Sequence, residues 1–567
     1  MAALVFGVLL CIGWWWPDHF APWLAFHNEV FVFLALVVGL GISLWETRGE
    51  IVAIRRGAGV YLSAFLIAIA TLQWLGGLLP FIGDLVLVIL YLCGAALAWE
   101  MGRMWAASSE HKQFSALDSL ALTFSAGATL SALIALIQWA GQEESWMPWV
   151  MPAAHSMRAI ANLAQPNQLS TLLIMGMIAT AVMYDRERLS GRVAALLLVV
   201  QTLVLVLTQS RTGMVVVLTL VAFAPWITGS SLRLRWWMVL AWGLSFLILT
   251  VAYQELGYHA NKAAIGTEQV FQVGLRPLLW HQFGVALLEA PWLGYGWLQT
   301  IRAQQEGALA ITGLEQGIYT HNHLLDLAIW LGLPCALLVL VAGARWIWLR
   351  RRKFGNKAVR WCTLWLLPLG AHAMLEFPLA YAYFLFPAAV IVGMVDYWTE
   401  PSRQQTDERQ PIKSRINKWQ LPLTLVVYAS LSIVVSYEYL QAEEDFRVAR
   451  FENRNLGQTP ATYEIPKFLL LDQLEAALRA MRLKAKRGMP EEDIQMLGRA
   501  AARYPWLPLQ YQYTLALALN GEQEKAAKQL RVMKGLFGEK VFADVLLDFL
   551  SLKQEKYPEL AEVTLPE

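Results

Sequence analysis

Charged residues are scarce in this chain. Only 16% of its 567 residues are charged, whereas 57% are hydrophobic, and a soluble domain has about 25% charged residues. The composition therefore excludes an ordinary soluble domain and indicates a membrane protein. The net charge is only +2, which gives no general basicity for nucleic acid, so we expect no nucleic-acid partner.

Cysteine and the familiar catalytic motifs are scarce too. The four cysteines, Cys11, Cys93, Cys335 and Cys362, lie in or beside apolar runs, and no pair has metal-ligand spacing. We expect them to be small core residues and not disulfide or zinc partners. The chain has no GxGxxG, P-loop, HExxH or CxxC site and no aspartate-rich cluster in its predicted outer loops. We therefore predict no metal site and no cofactor.

The N-terminus lacks the features of a removable signal peptide. Its first residues, "MAALVFGVLLCIGWWWP", contain no basic segment and no small-residue cleavage site. We predict that this stretch is a retained first membrane span.

Long apolar runs are abundant. A span needs about 20 largely apolar residues, and the 26 tryptophans suit a membrane protein because indole rings favour the bilayer interface. The sequence predicts an all-α polytopic membrane protein of about 13 transmembrane helices. They lie near 3–17, 29–46, 59–79, 82–100, 117–140, 168–184, 193–208, 212–228, 236–253, 322–348, 361–376, 379–397 and 420–437.

The distribution of basic residues predicts the orientation of these spans. With the N-terminus inside, the inner loops hold 22 Lys and Arg residues and the outer loops hold five, as the positive-inside rule requires. We predict a transmembrane domain over 1–437 with an outer loop at 254–320.

Residues 438–567 are charged and helical in pattern, which predicts a helical outer domain. Its "YPWLPLQYQYTLALALNGEQEKAAKQLRVMKGLFG" resembles one tetratricopeptide unit.

Histidines at the end of the long outer loop are candidates for acid–base chemistry. The stretch "YTHNHLLDL" contains His321, Asn322 and His323. Two residues apart on a helix, the imidazoles would point roughly 200° apart, so one of them acts alone and the pair is no natural metal site. Histidine suits acid–base work because its pKa lies near neutrality. A capping or interfacial role is the alternative.

Two arginines on the same predicted face are candidates for binding an anion. Arg211, in "VLVLTQSRTGMVVVL", is flanked by apolar runs, so it either snorkels to the interface or binds a phosphate. Ser210 and Gly213 would allow the chain to bend there. Arg276 begins "RPLLWHQFGVALLEAPWLGYGW", which resembles a helix in the outer interface that ends at Pro291. A solvated loop arginine is the alternative for Arg276.

Two further segments supply polar groups to the outer face. Gln165 and Asn167, in "QPNQ" before the sixth span, would cap that helix or hold sugar and phosphate oxygens. In "LEFPLAYAYF", Glu376 needs a partner, for which an arginine of the site is one candidate. Tyr381 and Tyr383 fit either a site or an aromatic belt.

In this order, these segments resemble the O-antigen ligase and polymerase superfamily. "LEFPLAYAYF" and the outer helical tail make the chain similar to PglL-type pilin O-oligosaccharyltransferases of Gram-negative bacteria. The resemblance implies an inner-membrane enzyme that moves a glycan from undecaprenyl pyrophosphate to a serine or threonine hydroxyl at the periplasmic face, without metal. Its partners would be the lipid-linked glycan, the bilayer and a pilin or other periplasmic protein.

The resemblance also implies roles for particular residues. His321 would be the catalytic base, and Arg211 and Arg276 would bind the donor pyrophosphate. The supporting residues would be Gln165, Asn167, Ser210, Asn322, His323, Glu376, Tyr381 and Tyr383. The chain has Asp326 where the family often has Gln, and Phe377 where it often has Tyr; we expect these differences to alter substrate fit and not the chemistry.

The sequence leaves two alternative functions open. A lipopolysaccharide O-antigen ligase or O-antigen polymerase would share the chemistry and differ in the acceptor, although the outer C-terminal domain favours a protein acceptor. A transporter or flippase would require inverted repeats and polar groups at mid-membrane. Here the polar candidates gather on one predicted face, which argues against transport.

Overall fold

The computed structural model describes residues 1–47, 56–108, 115–153, 158–229, 232–259, 274–312, 316–400, 419–460 and 462–566. Parts of the predicted loops lie outside these ranges, including Arg48, Arg55, Lys112 and Lys262 and nearly all of the linker 399–419. Every regular element in the described part is helical, which confirms the predicted fold class.

Nineteen α-helices lie within the described ranges. They are α1 Ala2–Trp15, α2 Phe26–Glu46, α3 Ala58–Leu75, α4 Ile82–Ser108, α5 Ala116–Trp139, α6 Pro166–Asp185, α7 Gly191–Leu207, α8 Arg211–Thr228, α9 Trp236–His259, α10 Arg276–Glu289, α11 Thr300–Gly307, α12 His323–Arg350, α13 Lys357–Ala373, α14 Ala382–Trp398, α15 Gln420–Asn453, α16 Asp472–Arg482, α17 Glu491–Arg503, α18 Leu507–Leu519 and α19 Gln523–Glu555. Short 3-10 turns occur at Glu143–Trp146, Ala161–Leu163, Arg351–Lys353, Pro378–Ala380 and Pro558–Glu562.

Each of the thirteen predicted spans coincides with a helix. Among the described residues, nine helices are long and apolar enough to cross a membrane: α2 to α6, α8, α9, α12 and α15. The other four predicted spans fall on α1, α7, α13 and α14, which have 14 to 17 residues each. The total of thirteen crossings therefore stays a prediction.

The chain divides into two compact units. The first comprises Met1–Phe65, Tyr91–Gln272 and Gly343–Ser432, and the second comprises Leu66–Leu90, Val273–Ala342 and Ile433–Glu567. The predicted outer loop is therefore grouped mainly with the C-terminal helices. The predicted sidedness of both segments stays a prediction.

Aromatic side chains form the centre of the first unit. Trp14 of α1 is fully buried and lies 4.9 Å from Phe124 of α5, measured between ring centroids. Phe124 is in turn 4.9 Å from Trp365 of α13. Helix α6 packs against α5, α7 and α13, and nearly all its side chains are buried. This enclosed helix carries the Gln-Pro-Asn segment at its first turn.

Buried carboxylates in the first unit pair with cations that the sequence predicts to lie on the inner side. Asp396, which is 1% exposed, accepts hydrogen bonds from Arg103 at 2.5 Å and from Arg350 at 2.7 Å. Asp185 likewise pairs with Lys357 at 2.9 Å. Since a buried carboxylate needs a partner of opposite charge, these pairs compensate charge at the helix ends.

In the second unit the C-terminal helices α16 to α19 share an apolar core that includes Leu497, Leu530 and Phe549. The segment that resembles one tetratricopeptide unit forms α18 and the start of α19, and α19 is broken at Gly538. A tetratricopeptide array is not confirmed. The C-terminal helices contact the preceding segments of this unit, because Arg503 pairs with the buried Asp84 at 3.0 Å.

Helix α12 differs from the predicted span 322–348. It is not continuous, because Gly332 has non-helical dihedral angles of φ 75° and ψ 163°. The apolar run "LAIWLGLPCALLVL" gave no hydropathy signal of this break. Only the Gly332 and Pro334 pair marks it in the sequence, since both residues interrupt helices.

Candidate active site

The predicted site residues form two sets, one in each compact unit. Arg211, Glu376 and the Gln-Pro-Asn segment belong to the first unit, whereas Arg276 and the His-Asn segment belong to the second.

The Gln-Pro-Asn segment begins helix α6. The side-chain oxygen of Gln165 accepts the backbone N–H of Gln168 at 2.8 Å, and Pro166 occupies the first helical position. A side-chain acceptor at the cap and proline at the first position are both typical of a helix start. Gln165 is therefore occupied in capping, one of the two roles that the sequence left open.

Asn167 connects three chain segments of the first unit. Its Oδ1 accepts a hydrogen bond from the Ser210 hydroxyl at 2.7 Å, and its Nδ2 donates to Glu376 Oε1 at 3.1 Å. Glu376 is 6% exposed. Ser210 also caps α8, because its hydroxyl accepts the N–H of Gly213 at 2.9 Å. The structure thus brings together three residues that are far apart in the sequence.

Arg158 is a member of this set that sequence reasoning missed. Its guanidinium donates to Thr208 O at 2.8 Å and to Asn167 Oδ1 at 3.4 Å. Burial and the charge of Arg211 lower the pKa of Arg158, and Glu376 opposes them. An arginine stays protonated in a protein, so two guanidinium groups act on one another here beside a single buried carboxylate. The sequence signal that could have identified Arg158 was its position in a largely apolar loop, nine residues before Asn167.

Arg211 occupies the first position of α8 and is exposed. The N-terminus of a helix favours anions, because its backbone N–H groups and dipole both present positive charge there. Arg211, Arg158 and the start of α8 therefore create a positive region in the first unit.

Tyr383 contacts the Gln-Pro-Asn segment directly. It is 2% exposed, and its hydroxyl donates a short hydrogen bond to Gln168 Oε1. The rings of Tyr381 and Tyr383 are stacked with centroids 5.1 Å apart. Tyr383 therefore contacts Gln168 directly, and Tyr381 is next to that contact through its stacking on Tyr383.

Glu29 fixes the start of the helix that carries these tyrosines, and sequence reasoning missed it as well. Its fully buried carboxylate accepts the backbone N–H of Ala382 at 2.7 Å, the Trp23 indole N–H at 2.9 Å and the Tyr91 hydroxyl at 2.5 Å. Tyr381, the residue before α14, makes no side-chain cap. Glu29 thus acts as the cap of α14 from another helix.

The second set centres on the start of α12. Asn322 is the N-terminal cap, because its Oδ1 accepts the N–H groups of Leu324 and Leu325, each at 3.1 Å. His321 has a positive φ of 58°, a conformation that few residues other than glycine adopt and that surrounding contacts must hold. His323 is the first residue of the helix. The two imidazoles therefore start from different backbone conformations.

Asp326 holds the turn that precedes the helix. Its Oδ1 accepts the backbone N–H of Thr320 at 2.8 Å, and its side chain is fully buried. The Thr320 hydroxyl in turn donates to Asn322 O at 2.9 Å. Asp326 therefore supports the conformation of His321 from one turn further along.

Arg276 belongs to the second set through its helix. Trp280 of α10 donates its indole N–H to Thr320 O at 3.0 Å. Arg276 lies four residues earlier, and residues four apart share one helix face. Arg276 is therefore on the face of α10 that contacts the residue next to His321.

The described residues contain no group of three His, Cys, Asp or Glu side chains that could hold a metal ion. What the two sets offer is cationic groups, amide and hydroxyl groups and an imidazole. Groups of these kinds can bind a phosphorylated or glycosidic substrate and can move a proton.

Comparisons with known proteins give these groups a context. Residues 159–183 match the family described as protein glycosylation ligase, residues 193–340 match O-antigen ligase, and residues 360–548 match the C-terminal part of a virulence factor membrane-bound polymerase. The general O-oligosaccharyltransferase of Acinetobacter baylyi is 28% identical over 94% of this chain and 92% of its own length. The ComP-specific O-oligosaccharyltransferase of the same organism is 24% identical over 65% of this chain and 66% of its own length.

These matches support a PglL-type enzyme. They also support O-linked protein glycosylation as its activity. The predicted enzyme class, an oligosaccharyltransferase, and the predicted type of reaction, O-linked protein glycosylation, are therefore confirmed. A PglL-type enzyme uses a glycan donor and a protein acceptor. The apolar helices and the O-antigen ligase match indicate a multi-pass membrane protein.

Proposed function

We propose that this enzyme transfers a glycan en bloc from undecaprenyl pyrophosphate to a serine or threonine of a periplasmic protein such as a type IV pilin. The transfer is metal-independent and inverts the anomeric configuration. The observation that carries the proposal is the similarity to an O-oligosaccharyltransferase over 94% of this chain. It extends to the C-terminal helices, which a lipid acceptor would not require.

In the proposed reaction, arginines bind the donor pyrophosphate. We assign this role to Arg211 and Arg276, as the resemblance implies, and we add Arg158. The support for Arg158 is its hydrogen bond to Asn167 Oδ1 and the effect of the Arg211 charge on its pKa. A guanidinium suits this task because its planar fork binds phosphate oxygens bidentately. Neutralising the pyrophosphate makes it a better leaving group.

His321 is the proposed general base. It takes the proton from the acceptor hydroxyl while that oxygen attacks the anomeric carbon and the bond to pyrophosphate breaks. Attack from the face opposite the leaving group inverts the configuration and needs no covalent sugar–enzyme intermediate. The bonds that hold residues 320–322 support this role, because a base must be held within hydrogen-bond reach of its proton.

The remaining predicted residues have supporting roles. Asn167, Ser210 and Glu376 keep the Gln-Pro-Asn segment in register with the start of α8. Gln165 and Asn322 cap helices. Tyr381 and Tyr383 hold Gln168, and His323 orients or packs the first turn of α12.

The proposed location is the inner membrane, with the site at the periplasmic face. The support is the excess of Lys and Arg in the predicted inner loops, 22 against five. Phosphatase fusions at Gly307 and near Gln458 test it and should be active. Activity of a cytoplasmic reporter at both positions would reverse the topology.

A lipopolysaccharide O-antigen ligase or an O-antigen polymerase is the second candidate, favoured by the matches to O-antigen ligase and to the membrane-bound polymerase. A transporter or flippase has less support, because no transporter is among these matches. The distinguishing experiment is glycoproteomics of a deletion strain with lipopolysaccharide profiling alongside. Loss of protein glycans with intact O-antigen supports the proposal, and the reverse pattern overturns it.

A further inference from the structure

Helix α12 has two parts that differ in their surroundings. The break at Gly332 separates residues 323–331 from residues 333–350. In the first part, Asp326 and every residue from Leu327 to Leu331 are buried. In the second part, Ala336 alone is buried, while Leu333, Leu337 and Val341 are 46%, 60% and 55% exposed. Residues 326–331 are thus enclosed by protein, while Leu324 in the first turn is 41% exposed. The second part presents apolar side chains outward.

The loop "PWLGYGW", residues 291–297, fills the break. Leu333 donates its backbone N–H to Pro291 O at 2.8 Å, and Tyr295 donates its backbone N–H to Ile329 O at 2.8 Å. The loop thereby supplies partners to backbone groups that the interrupted helix cannot pair. Such pairing is what irregular backbone requires at membrane depth.

Two glycines allow this close approach. A Cβ on Gly332 would lie 2.2 Å from Trp292 O, and one on Gly294 would lie 2.4 Å from Ile329 O. Both distances are shorter than any real carbon contact, and both residues have positive φ angles of 75° and 67°. The loop and the helix break are therefore packed backbone against backbone, and both glycines are required for that packing.

Polar bonds around the first part show what encloses it. Trp330 donates its indole N–H to Thr300 Oγ1 at 2.8 Å, and Gln73 donates its amide to Trp330 O at 2.7 Å. With the Asp326 bond to Thr320, these are contacts of a protein interior. A helix turn with a buried carboxylate and such partners is not a lipid-facing span.

The tip of the loop is apolar and exposed. Trp292 is 75% exposed and Leu293 is 69% exposed. The contact between Gly332 and the backbone of Trp292 places the tip beside Leu333, where the outward apolar surface of α12 begins. The tip is therefore continuous with a surface that a membrane span presents to lipid.

We propose that α12 enters the outer leaflet at Gly332 and not at His323, and that Trp292 and Leu293 insert into that leaflet beside it. The occupant of this exposed apolar surface is bilayer lipid. Residues 333–350 would span about 27 Å at 1.5 Å per residue, close to the roughly 30 Å hydrocarbon thickness. The first part of α12, residues 323–331, then lies outside the hydrocarbon together with His321 and Asn322. The loop holds it at a fixed distance from the bilayer surface.

Site-directed spin labelling tests the proposal directly. The full chain, with its four cysteines replaced by serine, is reconstituted into vesicles of phosphatidylethanolamine and phosphatidylglycerol. Single cysteines at Trp292 and Leu324 carry the label, and Leu337 and Leu547 serve as controls for lipid and water. We expect the label at 292 to collide with oxygen, as at 337, and to be shielded from a water-soluble nickel relaxer. The label at 324 should be more accessible to the nickel relaxer than the label at 337.

Two results would overturn the proposal. A label at 292 as accessible to the nickel relaxer as the label at 547 would place the loop tip in water. A label at 324 as shielded as that at 337 would make α12 a continuous span from its first turn. Neither readout depends on enzymatic activity, so failure here is distinct from failure of the proposed reaction.

An activity comparison tests the consequence and rests on the proposed lipid donor. A double variant, Trp292→Ser with Leu293→Ser, should raise the KM for a full-length polyprenyl donor in vesicles. It should leave transfer from a short-prenyl donor in detergent unchanged, because that donor needs no fixed membrane height. Equal loss with both donors would mean that the loop only supports the fold, and would overturn the proposed coupling to the bilayer.

Discussion

The Gln-Pro-Asn segment of the first unit and the His-Asn segment of the second each cap a helix with a side chain, and they differ in the other bonds described for them. In the first, side chains also bind side chains: Ser210 donates to Asn167, and Asn167 donates to Glu376. In the second, the bonds hold main chain: Asn322 accepts two backbone N–H groups, and Asp326 accepts that of Thr320.

This difference predicts how each segment responds to substitution. Members of a side-chain network are coupled, so changing one alters the others and the effects do not add. Bonds to the main chain fix a conformation, so removing one costs local stability but leaves other side chains intact. The first segment is therefore suited to binding by several groups, and the second to presenting one group.

The largest expected effect concerns His321, the group that the second segment presents. His321→Ala should lower transfer by about 10²–10⁴-fold, the usual contribution of a general base. That loss corresponds to roughly 3–5 kcal/mol of barrier. Binding of the lipid-linked donor should persist, since the acceptor proton and not the pyrophosphate is affected. The measurement is glycan transfer by purified enzyme, with donor binding measured separately.

His323→Ala is the matched control for that variant. It removes an imidazole two residues away and should keep substantial activity. The reverse ranking would move the base to His323. Near-normal activity in both variants, or a product of retained anomeric configuration, would end the single-histidine inverting mechanism.

The arginines are next in expected effect. Arg211→Ala and Arg276→Ala should each lower kcat/KM about ten- to hundredfold, since a hydrogen bond to a charged group contributes about 1.5–3 kcal/mol. Lysine at either position should be less harmful than alanine, because it keeps the charge and loses the planar fork. Wild-type transfer by both alanine variants, expressed normally, would remove pyrophosphate binding from these residues.

The side-chain network gives a third, smaller effect. Asn167→Ala and Ser210→Ala, separately and together, should show a coupling of about 0.5–3 kcal/mol in transition-state stabilisation, as residues in one network do. Ser170→Ala is the matched control, because that hydroxyl also contacts Ser210, at 3.2 Å, but donates to Asn167 O and not to its side chain. Strict additivity of Asn167 and Ser210 would show that the network does not act as a unit.

Much of the fold could be predicted from the sequence, because apolar run length and cap chemistry are local signals. All thirteen predicted spans fall on helices, and Gln165 precedes α6 as a capping residue should. The break at Gly332 was missed because hydropathy cannot distinguish a helix enclosed by protein from one surrounded by lipid. That distinction depends on partners such as Thr300, and the sequence pattern does not place them beside the helix.

The site was predictable to the extent that its residues lie in compact motifs. Asn167, Ser210 and His321 stand out because polar residues cluster beside apolar runs. Arg158 and Glu29 were missed, since their importance comes from partners that are distant in the sequence. Glu29 contacts Ala382, which is 353 residues further along the chain. A buried carboxylate in an apparent span is a functional signal in general, but only the fold identifies what it holds.

The smallest expected effect tests the main-chain side of the comparison. Asn322→Ala removes the cap of α12 and should cost about 1 kcal/mol of stability, which lowers the thermal transition by at most a few degrees in a chain of this size. Transfer should fall only by about fivefold, because 1 kcal/mol corresponds to about that factor in a conformational equilibrium. Asn322→Ser should restore both quantities, since serine is a comparable cap residue. The measurements are thermal unfolding of the purified enzyme and glycan transfer under the conditions used for His321→Ala. A different outcome would contradict this prediction. Asn322→Ala would lose as much transfer as His321→Ala with no change in thermal unfolding, and Asn322→Ser would not restore it. Asn322 would then act on the substrate itself, the His-Asn segment would present two groups, and the contrast with the Gln-Pro-Asn network would disappear.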